Sequence, residues 1–334
     1  MNVVRTTTLA IGASLIGSSL FIALAKPDAL SLIILAIGVM FLLHGTGFLQ
    51  EYMVRGILRW YRIKKPAIGI INDLSGTHGW AWSKMKPEGW LFKINNAINK
   101  SQIKAESKLI KITKPWTRWF LDRYLVIINP YGSVYPEIDI ENLTVMRLIL
   151  HYVHHGGMFV NVADIPFFFP HDPERKITYC SATQPVHLYK QLVWYLRRLP
   201  EYEQDFGKVP YPYVETPFLR AVMVDIINTE IRKDKKITPM YTSLKLKNSS
   251  YSLENVAINR GILCSNHVET IVEKLEWDGK LSTPLCYIHF GKGKFLLSLI
   301  FLEYDEQPED IREKITNLQC DLIIKEVKDK ILNG

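Results

Sequence analysis

At 334 residues the chain has room for one large α/β domain and an appendage. A formal net charge of +8 would suit nucleic acid, but five cations (Arg55, Arg59, Arg62, Lys64 and Lys65) crowd together directly after an apolar run, which argues against that partner. The four cysteines (Cys180, Cys264, Cys286 and Cys320) are widely spaced, with no CxxC or Cys/His ligand spacing, and read as reduced, mostly buried thiols.

The chain opens with two uncharged runs, Leu9 to Ala25 and Ala29 to Leu49, separated by Lys26-Pro27-Asp28. At about 17 and about 21 residues, each has the length of a membrane span. Gly12, Ser14, Gly17, Ser18 and Gly38 would let two such helices approach closely. A signal peptide competes for the first run and is disfavoured because a second apolar run follows at once. Residues 1–50 therefore read as a transmembrane helical hairpin. The cations after it place both its ends, and the domain that follows, on the cytoplasmic side of the cell membrane. Residues 51–66 read as a basic amphipathic juxtamembrane linker, with Tyr52, Ile57, Leu58, Trp60 and Tyr61 among the cations and Pro66 ending it.

The domain over 67–334 begins with a short apolar strand, Ala67 to Ile71, running into Asn72-Asp73-Leu74-Ser75-Gly76-Thr77. Glu88 to Asn99 is weakly helical, and Lys108 to Thr113 has an edge-strand pattern. Leu125 to Ile128 is an unbroken aliphatic run, as in a strand buried on both faces, and Asn129-Pro130-Tyr131-Gly132 ends it with turn chemistry. Leu143 to His155 predicts a helix with Asn142 as its cap and Leu143, Met146, Leu150 and Val153 on one face. Gly156-Gly157 stops that helix, and Met158 to Ala163 re-enters the sheet, completing a βαβ unit. Residues 174–256 read as an insertion, with a helix over Val186 to Leu199. Leu285 to Leu302 predicts a hairpin around Gly291-Lys292-Gly293-Lys294, and Glu309 to Leu332 a long terminal helix.

This order (a strand ending Ile-Ile-Asn-Asp, one ending Ile-Ile-Asn-Pro-Tyr-Gly, a helix ending His-His-Gly-Gly, a further strand and a late Phe-Gly-Lys-Gly-Lys hairpin) resembles the class I glutamine amidotransferase-like superfold. The resemblance covers about Ala67 to Leu302, minus the insertion. It implies an α/β domain with a flavodoxin-like parallel sheet, here of the non-catalytic or ThuA-like type. Catalytic members carry a nucleophilic Cys on a tight turn after the strand that follows Gly-Gly. This chain has Val162-Ala163-Asp164-Ile165-Pro166 there, so the amidotransferase machinery does not carry over.

In an open parallel sheet the loops at the carboxyl ends of the strands hold the ligand. That places Asp73, Ser75, Asn129, Tyr131, Gly132, Glu137, Asp164 and His171 as candidate ligand-binding residues, with Asn129, Tyr131 and Glu137 as a polar floor. Asp73 or Ser75 could equally cap a helix. No catalytic residue, metal ligand or cofactor is assigned. His151, His154 and His155 read as structural, and Lys292 and Lys294 as a solvated turn. The expected role is a membrane-anchored, non-catalytic ligand-binding or scaffold subunit, with a small polar ligand and a protein partner. Two alternatives are a hydrolase using carboxylates and His171, and a structural subunit of a larger membrane complex.

Overall fold

The structure is a computed structural model. It describes residues 10–16, 29–45, 55–74, 85–113, 120–140, 142–178, 213–214, 217–228, 231–233, 236–247, 251–277, 279–300 and 307–332. Two compact units are distinct, Met1–Lys64 and Lys65–Gly334.

In the first unit residues 10–16 are helical, followed by α1 (Ala29–Gly45) and α2 (Arg55–Lys64). Helix 10–16 meets α1 through its glycine: a Cβ on Gly12 would lie 2.6 Å from the Leu42 backbone nitrogen. The expected membrane spans are not found among the described residues, and most of the Leu9 to Ala25 run lies outside them. α1 has 17 residues, short of the roughly 20 that a helix needs to cross the hydrocarbon core. Among the described residues no helix is long and apolar enough to cross a membrane. The two-helix transmembrane hairpin is corrected on this ground, and with it the cell-membrane localisation and the cytoplasmic orientation built on it.

The first half of the second unit carries β1 (Ala67–Ile71), α3 (Pro87–Ser101), β2 (Glu106–Ile110), β3 (Val126–Asn129) and β4 (Val134–Pro136), then α4 (Thr144–His154), β5 (Met158–Asn161), β6 (Phe169–Asp172) and β7 (Ile177–Thr178). Next come β8 (Tyr213–Val214), α5 (Pro217–Val222), β9 (Ile226–Asn228), β10 (Ile231–Lys233), β11 (Lys236–Thr238), β12 (Met240–Lys245), β13 (Ser252–Ile258) and β14 (Arg260–Leu263). The last elements are β15 (Val268–Thr270), β16 (Leu275–Trp277), β17 (Lys280–Thr283), β18 (Leu285–Phe290), β19 (Gly293–Ser298) and α6 (Glu309–Leu332). The helix expected over Val186 to Leu199 lies outside the described residues.

The main sheet has seven strands in the order β15-β18-β19-β5-β3-β1-β2. β2, β1, β3, β5 and β19 run parallel, whereas β18 runs against them, antiparallel to both β19 and the edge strand β15. The flavodoxin-like parallel sheet is therefore corrected to a mixed one. The cause is the tight Gly291-Lys292 turn between β18 and β19, with Gly291 at φ +61°. So short a connection can only return the chain antiparallel. Around this sheet stand a five-stranded sheet (β16-β17-β14-β9-β8), a three-stranded one (β4-β6-β7) and the pairs β10-β11 and β12-β13.

Strand alternation builds a core on each face of the main sheet. Ile127, Phe159, Phe295 and Leu297 point to the side where Val145, Ile149, Tyr152 and Val153 of α4 pack. Ile68, Ile70, Ile128, Val160 and Leu296 point to the other, where Trp90, Ile94 and Ile98 of α3 and Ile311, Ile315, Ile323 and Val327 of α6 cover them. Each such aliphatic side chain contributes roughly 1.5–3 kcal/mol by leaving water. This layering sets the carboxyl ends of β1, β2, β3, β5 and β19 along one edge of the domain.

Candidate functional site

At the carboxyl end of β5 the chain turns through Val162, Ala163 and Asp164, and side-chain amides hold each of the three carbonyls. Asn161 Nδ2 donates to the carbonyls of Ala163 (2.7 Å) and Asp164 (3.1 Å). Gln319 Nε2, from the buried face of α6, donates to that of Val162 (2.8 Å). Asn129 Nδ2, at the end of β3, donates to Asn161 Oδ1 at 2.9 Å, and also to the carbonyls of Gly132 and Val134. Thus Asp164 is held at φ +56°, a left-handed conformation that Asp tolerates better than most residues. Its carboxylate pairs with the Arg260 guanidinium from the start of β14. The two side chains keep 13% and 20% of their exposure, so the pair is reachable from solvent.

Asp73 lies past the end of β1 and is half-buried. Its Oδ2 accepts from the Ile112 amide (2.8 Å), and its Oδ1 accepts from the Thr113 amide (3.0 Å) and hydroxyl. These bonds tie the ends of β1 and β2 together. Burial raises the proton affinity of Asp73, against the pull of the Thr113 hydroxyl and the two amides. Tyr131 is buried beside it, and burial suppresses the acidity of its phenol. Gly132, at φ +67°, supplies the left-handed turn after β3 that Asn129 secures.

The other candidates are placed elsewhere. Glu137 is not part of a polar floor: it is fully buried and caps α4. Its carboxylate accepts from the amides of Val145 (3.0 Å), Met146 (3.3 Å) and Asp139 (3.1 Å). That is the cap expected of Asn142, while the residue before the helix, Leu143, makes no side-chain cap. Burial pushes the Glu137 carboxyl up to about 7 even though those amides pull it down. His171 is buried on β6, where it pairs with Pro136. Alternation along the strand then sends His171 and Glu137 to opposite faces, so the two do not form one acid–base pair. Burial lowers the proton affinity of His171, opposed by Asp172. Asp172 spends one oxygen on the amides of Glu174 and Arg175 in its own turn. Ser75 lies outside the described residues.

Cys286 and Cys320 are buried and Cys264 is half-buried. Burial raises all three thiols, Cys320 to about 12, so none of them is a ready thiolate nucleophile. Among the described residues no group of three or more His, Cys, Asp or Glu side chains could hold a metal ion. Sequence reasoning missed Asn161, Arg260 and Gln319. Asn161 alone carried a signal, as a polar residue closing a buried apolar strand.

No protein-family model matches the chain, and no curated protein matches it in sequence. Solved structures similar to it include β-galactosidases from Bacillus circulans sp. alkalophilus (15% identity, 78% of this chain and 31% of that one, TM-score 0.40) and from Rahnella sp. R3 (12%, 79% and 31%, TM-score 0.40). Another is an exo-β-1,4-mannosidase from Opitutaceae bacterium strain TAV5 (10%, 90% and 38%, TM-score 0.36). This chain spans about a third of their length. All three are glycosidases, hydrolases by class, and none is an amidotransferase. The resemblance to the class I glutamine amidotransferase-like superfold is corrected: no family model matches the chain, and no amidotransferase stands among these structures. At these scores and identities the likeness carries no argument about this chain's own fold or activity.

Proposed function

We propose that the chain recognises a small, polar, hydroxyl-bearing molecule at the carboxyl end of its seven-stranded sheet. The observation that carries this reading is the Asp164–Arg260 pair, partly exposed and held on a turn whose three carbonyls are all bound by side-chain amides. A carboxylate and a guanidinium side by side accept from and donate to neighbouring hydroxyls of one ligand. The amide clamp holds them in place before the ligand arrives, which lowers the entropy lost on binding.

A second reading, hydrolysis of that ligand, is favoured by one observation. The same edge carries two carboxyl groups, Asp73, whose proton affinity burial raises, and Asp164, paired with Arg260, and a carboxyl that keeps its proton is what a general acid needs. Against it, both Asp73 oxygens are bound to the end of β2. A β-galactoside and a β-mannoside, as p-nitrophenyl glycosides, separate the readings. Saturable binding without p-nitrophenol release supports recognition alone. Release that Asp73→Asn and Asp164→Asn both abolish supports hydrolysis.

A further inference from the structure

We propose that the molecule held beside Asp164 and Arg260 is a hydroxyl-bearing carboxylic acid, and that Arg312 of α6 takes its carboxylate. This rests on the ligand site proposed above and names the class of its ligand. Two contacts fix the run of α6 across the sheet. Lys330 Nζ donates to the Gly156 carbonyl just before β5 (2.9 Å), and Gln319 Nε2 to that of Val162 just after it (2.8 Å). α6 therefore begins at the carboxyl ends of the parallel strands. Arg312 precedes Gln319 by two heptad-spaced turns, which puts it within about 20° of the same helix face and about 10 Å further out. It overhangs the edge that carries Asp164, Arg260 and Asp73.

Arg312 is half-buried. Its Nη1 is shut off from solvent and makes no hydrogen bond. The acidic side chains around it are engaged elsewhere: Asp164 with Arg260, Glu313 with Lys93 and Asp310 with Lys314. A guanidinium out of water without an anion is costly, and a ligand carboxylate, which matches its planar fork, removes that cost. Two buried amides on the same stretch are half-used. Gln307 Oε1 accepts from the Ala257 amide (2.8 Å), leaving Nε2 as a donor without a partner. Gln319 spends Nε2 on Val162, leaving Oε1 as an acceptor without a partner. A cation, a donor and an acceptor together suit an acid that also carries hydroxyls. A dianionic phosphate is disfavoured, because α6 opens on Glu309 and Asp310.

Calorimetry of the full chain with D-galactose, D-galacturonate and D-galactose 6-phosphate tests this. Galacturonate binds about 10–100-fold more tightly than galactose, as a charge-assisted hydrogen bond provides. In the wild type, which needs no variant to fold, the uncharged methyl ester of galacturonate loses that advantage. Arg312→Met removes the difference between the two sugars, and without ligand it raises the urea midpoint, since an unpaired buried charge is gone. Equal affinity for galactose and galacturonate, a preference that survives Arg312→Met, a lowered midpoint in that variant, or tighter binding of the 6-phosphate overturns the assignment of an acid and leaves the ligand site standing. Binding of none of the sugars overturns both.

Discussion

Asn129 and Asn161 close the carboxyl ends of β3 and β5 by bonding to each other, Nδ2 of the first to Oδ1 of the second at 2.9 Å. Both are buried, and Asn161 in turn holds the carbonyls of Ala163 and Asp164. Asn129→Leu leaves Asn161 Oδ1 and two carbonyls without this donor. Each buried group left unsatisfied costs roughly 1–3 kcal/mol. Urea unfolding should show a midpoint lowered to match, with the slope unchanged.

Glu137 makes stability depend on pH with a definite sign. Its carboxyl is raised to about 7 in the folded chain from an ordinary value of 4.5. The folded state therefore binds the proton more tightly, and the contribution is fully present below 4.5 and lost as pH rises through about 7. At 1.36 kcal/mol per unit the whole swing is on the order of 3 kcal/mol. His171 acts oppositely. Burial lowers its proton affinity, so its contribution is present above the unfolded value of 6.5 and lost as pH falls through the lower folded value. Comparing wild type with Glu137→Gln by denaturation from pH 4.5 to 8 cancels the His171 contribution. The stability of wild type relative to the variant should fall as pH rises, by up to about 3 kcal/mol.

Gly157 is required by the ring of Tyr152, which lies where a Cβ would be. That ring is fixed, because its hydroxyl donates toward the carbonyls of Tyr124 (3.1 Å) and Met158 (3.2 Å). Gly157→Ala should destabilise by about 1–3 kcal/mol through overpacking. In a Tyr152→Ala background the same change should cost much less. A double-mutant cycle of melting curves measures that coupling.

Lys294 and Glu326 join β19 to α6 at 2.6 Å, with side-chain exposures of 18% and 12%. Lys294 also lies 4.2 Å from the centre of the Tyr287 ring. Removing one partner strands the other charge. Lys294→Met should cost more than the ~1 kcal/mol of an exposed pair and less than the 3–5 kcal/mol of a fully buried one. The double variant Lys294→Met/Glu326→Leu should recover part of that loss in thermal unfolding.

Elements with strong periodicity could be read from the sequence. The aliphatic strand before Asn129, the hairpin at Gly291-Lys292 and the helix from Glu309 to Leu332 stand where their patterns put them. Hydropathy misled at the N-terminus, because an uncharged run does not by itself show how long a helix it makes, and among the described residues no helix is long and apolar enough to cross a membrane. The candidate site was half legible. Asp73, Asn129, Tyr131 and Asp164 do gather at the carboxyl end of the sheet. Arg260 comes from 96 residues away, through a stretch without clear pattern, and amide-to-carbonyl bonds such as that of Gln319 leave no spacing to detect. Glu137 was misplaced because a carboxylate beyond a strand looks alike whether it faces a ligand or caps the next helix.

The central claim rests on the Asp164–Arg260 pair, and calorimetry of the full chain with galactose, mannose and their β-methyl glycosides tests it most directly. The account predicts saturable binding to at least one of these sugars, lost in Arg260→Met and Asp164→Ala while both variants still unfold cooperatively. No binding by the wild type, or binding that survives both substitutions, would contradict it.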